Sequence, residues 1–229
     1  MKAIEEAIPL YDHVNDLISL GRAQKARLYA IQHLRLSQND YVLDGGIGPG
    51  TTSRLILSNF KPGLLVGLDE SVKQLQTAKQ NLREAGDDSI NVVRGSFEFL
   101  PFRDHVFQSV ITCYALRDSL DIPKSVSEYS RVCDSHGAFA DVDIGKPDDF
   151  VKRIVSEVYV KYAVPLIAHM AIRRKMKGNP WRMIGPTYAS LPTNHVLLDL
   201  FKQAFHEAEL KEFLNGGLIV ITGHTKLHS

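Results

Sequence analysis

Asp44-Gly-Gly-Ile-Gly-Pro-Gly50 carries the most chemistry in its spacing of any stretch in this 229-residue chain. Four residues suited to a buried strand, Tyr41 to Asp44, run into glycines at Gly45, Gly46, Gly48 and Gly50, and a helix-like segment, Thr51 to Ser58, follows directly. Glycine suits that corner because a chain reversing at a strand's carboxyl end takes positive φ or lets a ligand reach bare backbone, and a Cβ obstructs both. Such a loop cradles a nucleotide-like ligand; its bland counterpart is a tight turn.

The spacing chooses the ligand. A dinucleotide fingerprint reads G-x-G-x-x-G, whereas Gly46, Gly48 and Gly50 read G-x-G-x-G and Thr51 holds the third glycine's place. Asp44 at the strand end would repel a pyrophosphate and welcome an ammonium group, so the loop favours S-adenosylmethionine (SAM) over NAD. The next apolar run, Gly63 to Asp69, ends in a carboxylate about 20 residues after the loop, the offset of a ribose-binding acid in such βαβ units. Asp69 is therefore assigned to the ribose diol, with Glu70 beside it; the competing use of Asp69 is in capping the helix that starts near Ser71.

Further candidates follow from position. Ser96, Phe97 and Glu98 come after the third strand, in a loop that faces the same crevice as the glycine loop, because ligands bind beyond the carboxyl ends of such strands. They are placed around the adenine, against the reading of a simple surface loop. Cys113 ends the fourth strand and borders the same crevice as a buried thiol. Arg117, in Tyr114-Ala-Leu-Arg-Asp118, falls at the expected topological switch, where substrate contact competes with ion pairing to Asp118 or Asp121. Asp141 and Asp143 share one face of the fifth strand, because strand side chains repeat every second residue.

The elements that must position these residues read as alternating strands and helices. Residues 3–36 precede the first strand and look helical, with Gly21 separating two helices and Tyr11 and Asn15 on one face. An amphipathic helix, Val72 to Ala85, stops at Gly86; strands Ile90 to Arg94 and Val106 to Cys113, helix Ile122 to Val132 and strand His136 to Ile144 follow. A helical stretch from Asp148 to about Lys177, interrupted at Pro165 and ending in the basic tract Arg173 to Lys177, is too long for an ordinary crossover. Residues 148–192 are therefore read as an insertion that caps the substrate. Helix Val196 to Glu207 precedes two strand-like segments, Glu209 to Leu214 and Leu218 to Thr222, joined at Asn215-Gly-Gly217, a hairpin signal. The expected fold class is α/β: one Rossmann-like domain, 1–229, with a seven-stranded sheet, its last strand antiparallel and helices on both faces.

Composition narrows the classes. A formal net charge of +1 gives no basic surface for nonspecific nucleic-acid binding, and no nucleic-acid partner is expected. No apolar run reaches the 18 or so residues that span a bilayer, and the amino terminus lacks a signal-peptide pattern, so a cytoplasmic protein is expected. The two cysteines, Cys113 and Cys133, read as buried thiols; His224 and His228 alone have ligand-like spacing, at a chain end with no carboxylate or cysteine nearby, and no metal is assigned.

In fold and motif order the chain resembles the class I SAM-dependent methyltransferases, and more specifically the menaquinone and ubiquinone biosynthesis C-methyltransferases. The resemblance rests on Tyr11-Asp-His-Val-Asn-Asp16, Ser19-Leu-Gly21, Leu100-Pro-Phe102, Leu116-Arg-Asp118, Lys146-Pro147, Val164-Pro-Leu-Ile167 and Asn215-Gly-Gly217, in that order along nearly the whole chain. It implies methyl transfer from SAM, with S-adenosylhomocysteine as product, to a ring carbon of a prenylated quinol. Arg117 would stabilise the phenolate; Asp143, Asp118 or a water would take the proton; Tyr11 and Asn15, within residues 1–36, would close as a lid. Ser96 stands where the family has aspartate, Asp118 where it has asparagine and Asp143 where it has glutamate, and Ile47 and Pro49 change side chains of the glycine loop without losing a glycine. A lipid substrate implies peripheral membrane contact through Arg173 to Lys177, and a homodimer stays open. The rival readings are a methyltransferase of another small molecule or of a nucleic-acid base, a nicotinamide-binding reductase, which the glycine spacing disfavours, and a SAM-binding protein without catalysis.

Overall fold

The computed structural model describes residues 11–172 and 180–225, without the side chains of Tyr11, Asp12 and Pro180. Its strands are β1 (Tyr41–Gly45), β2 (Leu64–Asp69), β3 (Asn91–Arg94), β4 (Phe107–Cys113), β5 (Cys133–Ile144), β6 (Glu207–Phe213) and β7 (Leu218–His224). They form one seven-stranded sheet in the order β3-β2-β1-β4-β5-β7-β6. Strands β1 to β5 are parallel, and β7 runs antiparallel to both β5 and β6. The strand order reverses between β1 and β4, and the carboxyl ends of these two strands open the crevice expected at a switch point.

The helices are α1 (Tyr11–Ile18), α2 (Arg22–His33), α3 (Thr51–Asn59), α4 (Val72–Glu84), α5 (Ile122–Val132), α6 (Phe150–Val158), α7 (Val164–Ile172), α8 (Ile184–Ser190) and α9 (Asn194–Ala204). The apolar stripes of α2, α3 and α4 put Ala26, Ile31, Ile56 and Leu82 on one face of the sheet. On the other face α5 and α9 pack Val126, Tyr129, Leu197 and Phe201. Both faces of the central strands are thus covered, which is why β1, β2 and β4 read as apolar runs rather than as alternating patterns.

Most boundaries fall within two residues of the sequence expectation, and three differences have a physical cause. The helix expected to reach Glu207 ends at Ala204, because Glu207 already pairs with His224 of β7 and the ladder claims its backbone. Strand β5 starts at Cys133, straight off α5, and its register with β4 slips between Phe107 and Ser109. The expected break at Pro165 falls earlier, as a wide π-type turn over Tyr159–Ala163, and Pro165 sits in the first turn of α7. Inside a continuous helix a proline removes one main-chain donor and its ring crowds the carbonyl of the preceding turn, and that turn widens instead of the helix ending. The hairpin turn follows expectation, with Asn215 at φ 55° and Gly216 at φ 91°.

β5 also carries a buried liability. Asp141 lies opposite Thr112 of β4 and Ile221 of β7, has no solvent exposure, and neither of its carboxyl oxygens meets a hydrogen-bond partner. Burial first, and then the charge of Asp143, push its pKa well above the ordinary carboxylate value, against the pull of Arg117. A raised folded-state pKa contributes stability that is present below the unfolded value and lost as pH rises through the folded one. Asp141→Val should therefore raise the melting temperature by several degrees near neutral pH, at about 2–4 °C per kcal/mol for a chain of this size. The gain should shrink below about pH 4; thermal melts followed by circular dichroism at both pH values check this.

Candidate active site

The glycine loop is held by the end of β2. The N–H groups of Gly46 and Ile47 both donate to the Leu68 carbonyl, at 2.8 and 2.9 Å. Gly46 has φ 75°, and a Cβ there would lie 2.3 Å from the Ala115 methyl and 3.0 Å from the Phe97 ring, so only glycine fits. Gly48 and Gly50 also take positive φ, and Gly50 opens α3. Asp69 faces this loop: Oδ2 accepts from the Gly48 N–H at 3.0 Å and Oδ1 from the Ser71 N–H at 2.9 Å. Each oxygen retains acceptor capacity, since an ionised carboxylate offers about four lone-pair sites. The helix-capping role belongs to Ser71, whose Oγ accepts from the Gln74 N–H, and Asp69 lines the cavity with Glu70 at the rim. Burial raises the Asp69 pKa, opposed by those two backbone donors.

Asp44 stands behind the cavity wall and does not line it. It is fully buried, accepts from Ser53 Oγ at 2.6 Å, and burial lifts its pKa to about 6 against the pull of Ser53 and Arg27. Arg27, which the sequence reading did not single out, does line the cavity; α2 delivers its buried guanidinium to 4.8 Å from the centre of the Tyr114 ring. Its signal was an arginine on the small-residue face of a helix, between Ala23, Ala26 and Ala30. Cys113 forms part of the wall, and burial pushes its thiol up to about 12, so it stays protonated.

The loop after β3 uses its polar atoms internally. Ser96 Oγ donates to the Glu98 carboxylate and does not line the cavity, whereas Phe97 and Glu98 do. Glu98 also accepts from Ser119 Oγ and the Leu120 N–H, both at 2.8 Å, which ties the loop after β3 to the turn after β4. Partial burial pulls the Glu98 pKa upward, but these donors outweigh it and hold the carboxyl at about 2. Glu98 is therefore an anionic clasp between two loops, and Phe97 presents its ring to Gly46.

The switch-point turn is held in an uncommon backbone state. Tyr114 has φ 60°, the left-handed region that non-glycine residues occupy at a cost of roughly 1–2 kcal/mol. Its N–H donates to the Val142 carbonyl at 2.6 Å, its hydroxyl to the Ala23 carbonyl at 3.3 Å, and its own carbonyl accepts from Arg117 Nη1. The chain then winds into a short 3-10 turn, Leu116–Asp118, where the sequence suggested only a loop. Asp143 anchors that turn: it accepts from the Arg117 N–H and from Arg117 Nη1, each at 3.0 Å, and from the Ile144 N–H at 2.8 Å. Asp143 is 1% exposed and does not line the cavity. Arg117 and Asp118 do line it, with Arg117 Nη2 3.7 Å from Asp118 Oδ2 and the Asp118 side chain 52% exposed. Burial raises the Asp118 pKa, Arg117 opposes this, and Asp143 adds to it.

Above the crevice, α1 and the segment 150–190 share a small core of Val14, Val164, Ala168, Ile172 and Trp181. Among the described residues, Trp181 Nε1 donates to Asn15 Oδ1 at 3.1 Å and the Tyr159 hydroxyl to the Ile18 carbonyl at 2.7 Å, which joins them. Asn15 lines the cavity; Tyr11 belongs to α1, and its side chain lies outside the described residues, as do Arg173 to Lys177. The resulting cavity measures about 600 Å³. Its lining joins the glycine loop, Asp69 and Arg27 to the apolar side chains of Ile18, Tyr159, Val160, Val164 and Ile184, which form its apolar chamber, and to Arg117 and Asp118.

The chain was compared with known proteins. The model of the ubiE/COQ5 methyltransferase family matches residues 2–226. A 2-phytyl-1,4-naphtoquinone methyltransferase of Thermosynechococcus vestitus is 29% identical, covering 95% of both chains. A demethylmenaquinone methyltransferase of Symbiobacterium thermophilum is 27% identical over 93% of this chain and 87% of that one. Among solved structures, a SAM-dependent methyltransferase of Thermotoga maritima, a possible histamine N-methyltransferase, superposes with a TM-score of 0.63 at 17% identity, covering 99% of this chain and 100% of that one. A phosphoethanolamine N-methyltransferase of Haemonchus contortus in complex with SAM gives 0.66 at 16% identity, over 91% of this chain and 43% of that one. These two likenesses speak for the shared fold. Gly46→Ala, which meets both the φ of 75° and the Ala115 methyl, should weaken SAM binding at least about tenfold, equivalent to 1.4 kcal/mol. Calorimetric titration checks this, and unchanged affinity would remove the loop from the binding site.

Proposed function

Since the chain belongs to the ubiE/COQ5 methyltransferase family, we propose that it uses SAM to methylate a ring carbon of a lipid-tailed quinol, the substrate class to which its relatives' names point. The observation that carries this reading is the mixed lining of one cavity: a glycine cradle with an acid and a buried guanidinium, a set of apolar side chains, and the Arg117–Asp118 pair. The cradle suits SAM because Asp69 retains acceptor capacity for a ribose diol, Phe97 and Glu98 border the position for the base, and Arg27 offers a cation to the amino-acid carboxylate. SAM, when bound, supplies an electrophilic methyl group.

The chain's own task is to make a ring carbon nucleophilic and to exclude water. Arg117 stays protonated and cannot accept a proton; its place in the wall suits electrostatic stabilisation of a phenolate. Asp143 is shut off from the cavity and its oxygens already receive three donors. Asp118 is open to the cavity, 3.7 Å from Arg117, and burial raises its pKa; it takes the hydroxyl proton. Asn15 and Trp181 tie α1 over the chamber. The ring hydrogen replaced by methyl leaves as a proton as the ring regains aromaticity, and Asp118 returns its proton to the phenolate oxygen, so that each transfer yields the methylated quinol, S-adenosylhomocysteine and one proton released to solvent.

The decisive experiment offers the purified protein labelled SAM with a prenylated 1,4-naphthoquinone lacking the ring methyl, in reduced and oxidised forms. Label should enter the reduced form alone, because only the quinol has an ionisable hydroxyl beside the reacting carbon. Firm SAM binding with no labelled product from reduced naphthoquinols or benzoquinols would overturn the reading. Asp118→Asn should lower kcat about a hundredfold, remove the acidic limb of the pH–rate profile and leave SAM affinity within about twofold. A profile and rate equal to wild type would exclude Asp118 as the proton acceptor.

A further inference from the structure

Helix α6, the π-type turn and α7 make one uninterrupted helical run, residues 150–172, with two faces that differ in use. The inner face supplies Tyr159, Val160 and Val164 to the apolar chamber and Ala168 and Ile172 to the core shared with α1. The outer face is apolar too, and among the described residues it stays exposed. Val151, Val158, Tyr162, Leu166 and Met170 follow at helical spacing and are 67, 53, 61, 58 and 58% exposed. No residue of α6 is buried at all, although its apolar and polar residues are sharply segregated. A contiguous apolar stripe of this length on a water-exposed helix marks an interaction site.

Charge selects the partner. Lys152, Arg153 and Lys161 flank the stripe, against Glu157 as the single acid within residues 150–172. Beside it, between this helical run and α8, a groove of about 920 Å³ sets Lys146, Lys161, His169 and Arg182, with Glu157 as its one acid, around Tyr162, Leu166 and Pro186. Two copies meeting through this face would bring their like-charged flanks together, since a twofold pairing opposes the same patch on both partners. An anionic lipid surface neutralises those flanks while its acyl region receives the stripe.

We propose that the outer face of residues 150–172 lies in the headgroup–acyl boundary of an anionic bilayer, with Lys152, Lys161 and Arg182 at lipid phosphates. A lipid-tailed acceptor would then leave the bilayer along the same helical run whose inner face lines the chamber, without its tail crossing open water. The proposal rests on the lipid-quinol reading for its purpose, but the docking itself is measured without turnover. It uses none of the basic tract at 173–177.

The test is co-sedimentation of the full chain with phosphatidylcholine vesicles with and without about 30% phosphatidylglycerol, at low salt and at about 0.5 M salt. Wild type should bind the anionic vesicles, bind neutral ones weakly and lose affinity in high salt. The Val158→Glu, Leu166→Glu double variant should keep its circular dichroism spectrum and its turnover of a short-tailed quinol, and bind anionic vesicles at least about tenfold less. Equal vesicle binding by wild type and the folded variant would overturn the proposal. So would a vesicle-free dimer, seen by sedimentation velocity, that the variant splits into monomers. Vesicle binding lost in the variant, with no quinol methylated by either protein, would sink the quinol reading and leave the docking face standing.

Discussion

The buried ion pair between Arg117 and Asp143 is the contact on which the site depends. It joins the turn after β4 to the end of β5, and it fastens that turn through main chain and side chain together. Removing one partner of such a buried pair generally costs about 3–5 kcal/mol, because the other charge is left uncompensated. Here the structural consequence would reach further. The same turn places the Ala115 methyl against Gly46, so the position of the glycine loop is coupled to the charge pair. The left-handed conformation of Tyr114 persists because three hydrogen bonds and the neighbouring guanidinium of Arg27 over-determine it.

Around that pair the carboxylates divide by the donors they receive. Asp143 and Glu98 are each surrounded by N–H and O–H donors and serve as anionic fasteners between loops. Asp141, two residues from Asp143 on the same strand face, receives none and is pushed toward its neutral form. Asp69 and Asp118 are intermediate, partly satisfied and open to the cavity, which is the condition in which a carboxylate can still engage a ligand.

The roof of the cavity is built from parts distant in sequence. Among the described residues, helix α1 and the stretches 150–172 and 181–190 share a small core of Val14, Val164 and Trp181 and the Asn15 bond, and Val160, Tyr188 and Leu191 pack with Ile122 and Ile144 of the main body. The arrangement also explains how one helical run can face a chamber on one side and solvent on the other without being part of the main core.

Local chemistry was legible in the chain itself. The glycine spacing, the acid that ends β2, the strand and helix alternation and the closing hairpin each depend on residues close in sequence, whose φ preference or periodicity acts wherever they are placed. Arg117 as a switch-point residue and the two buried cysteines belong to the same class. What only the tertiary structure decided were pairings across distance. Arg27 reaches the cavity from α2, Ser96 turns to Glu98, and Asp143 is shut behind Arg117 while Asp118 is exposed. Sequence periodicity set Asp141 and Asp143 on one face as equivalents; they became opposites because donors from the β4 turn reach only the strand end. The π-type turn before Pro165 was likewise settled by packing, since proline dictates that the helix must adjust and the cores on either side dictate where.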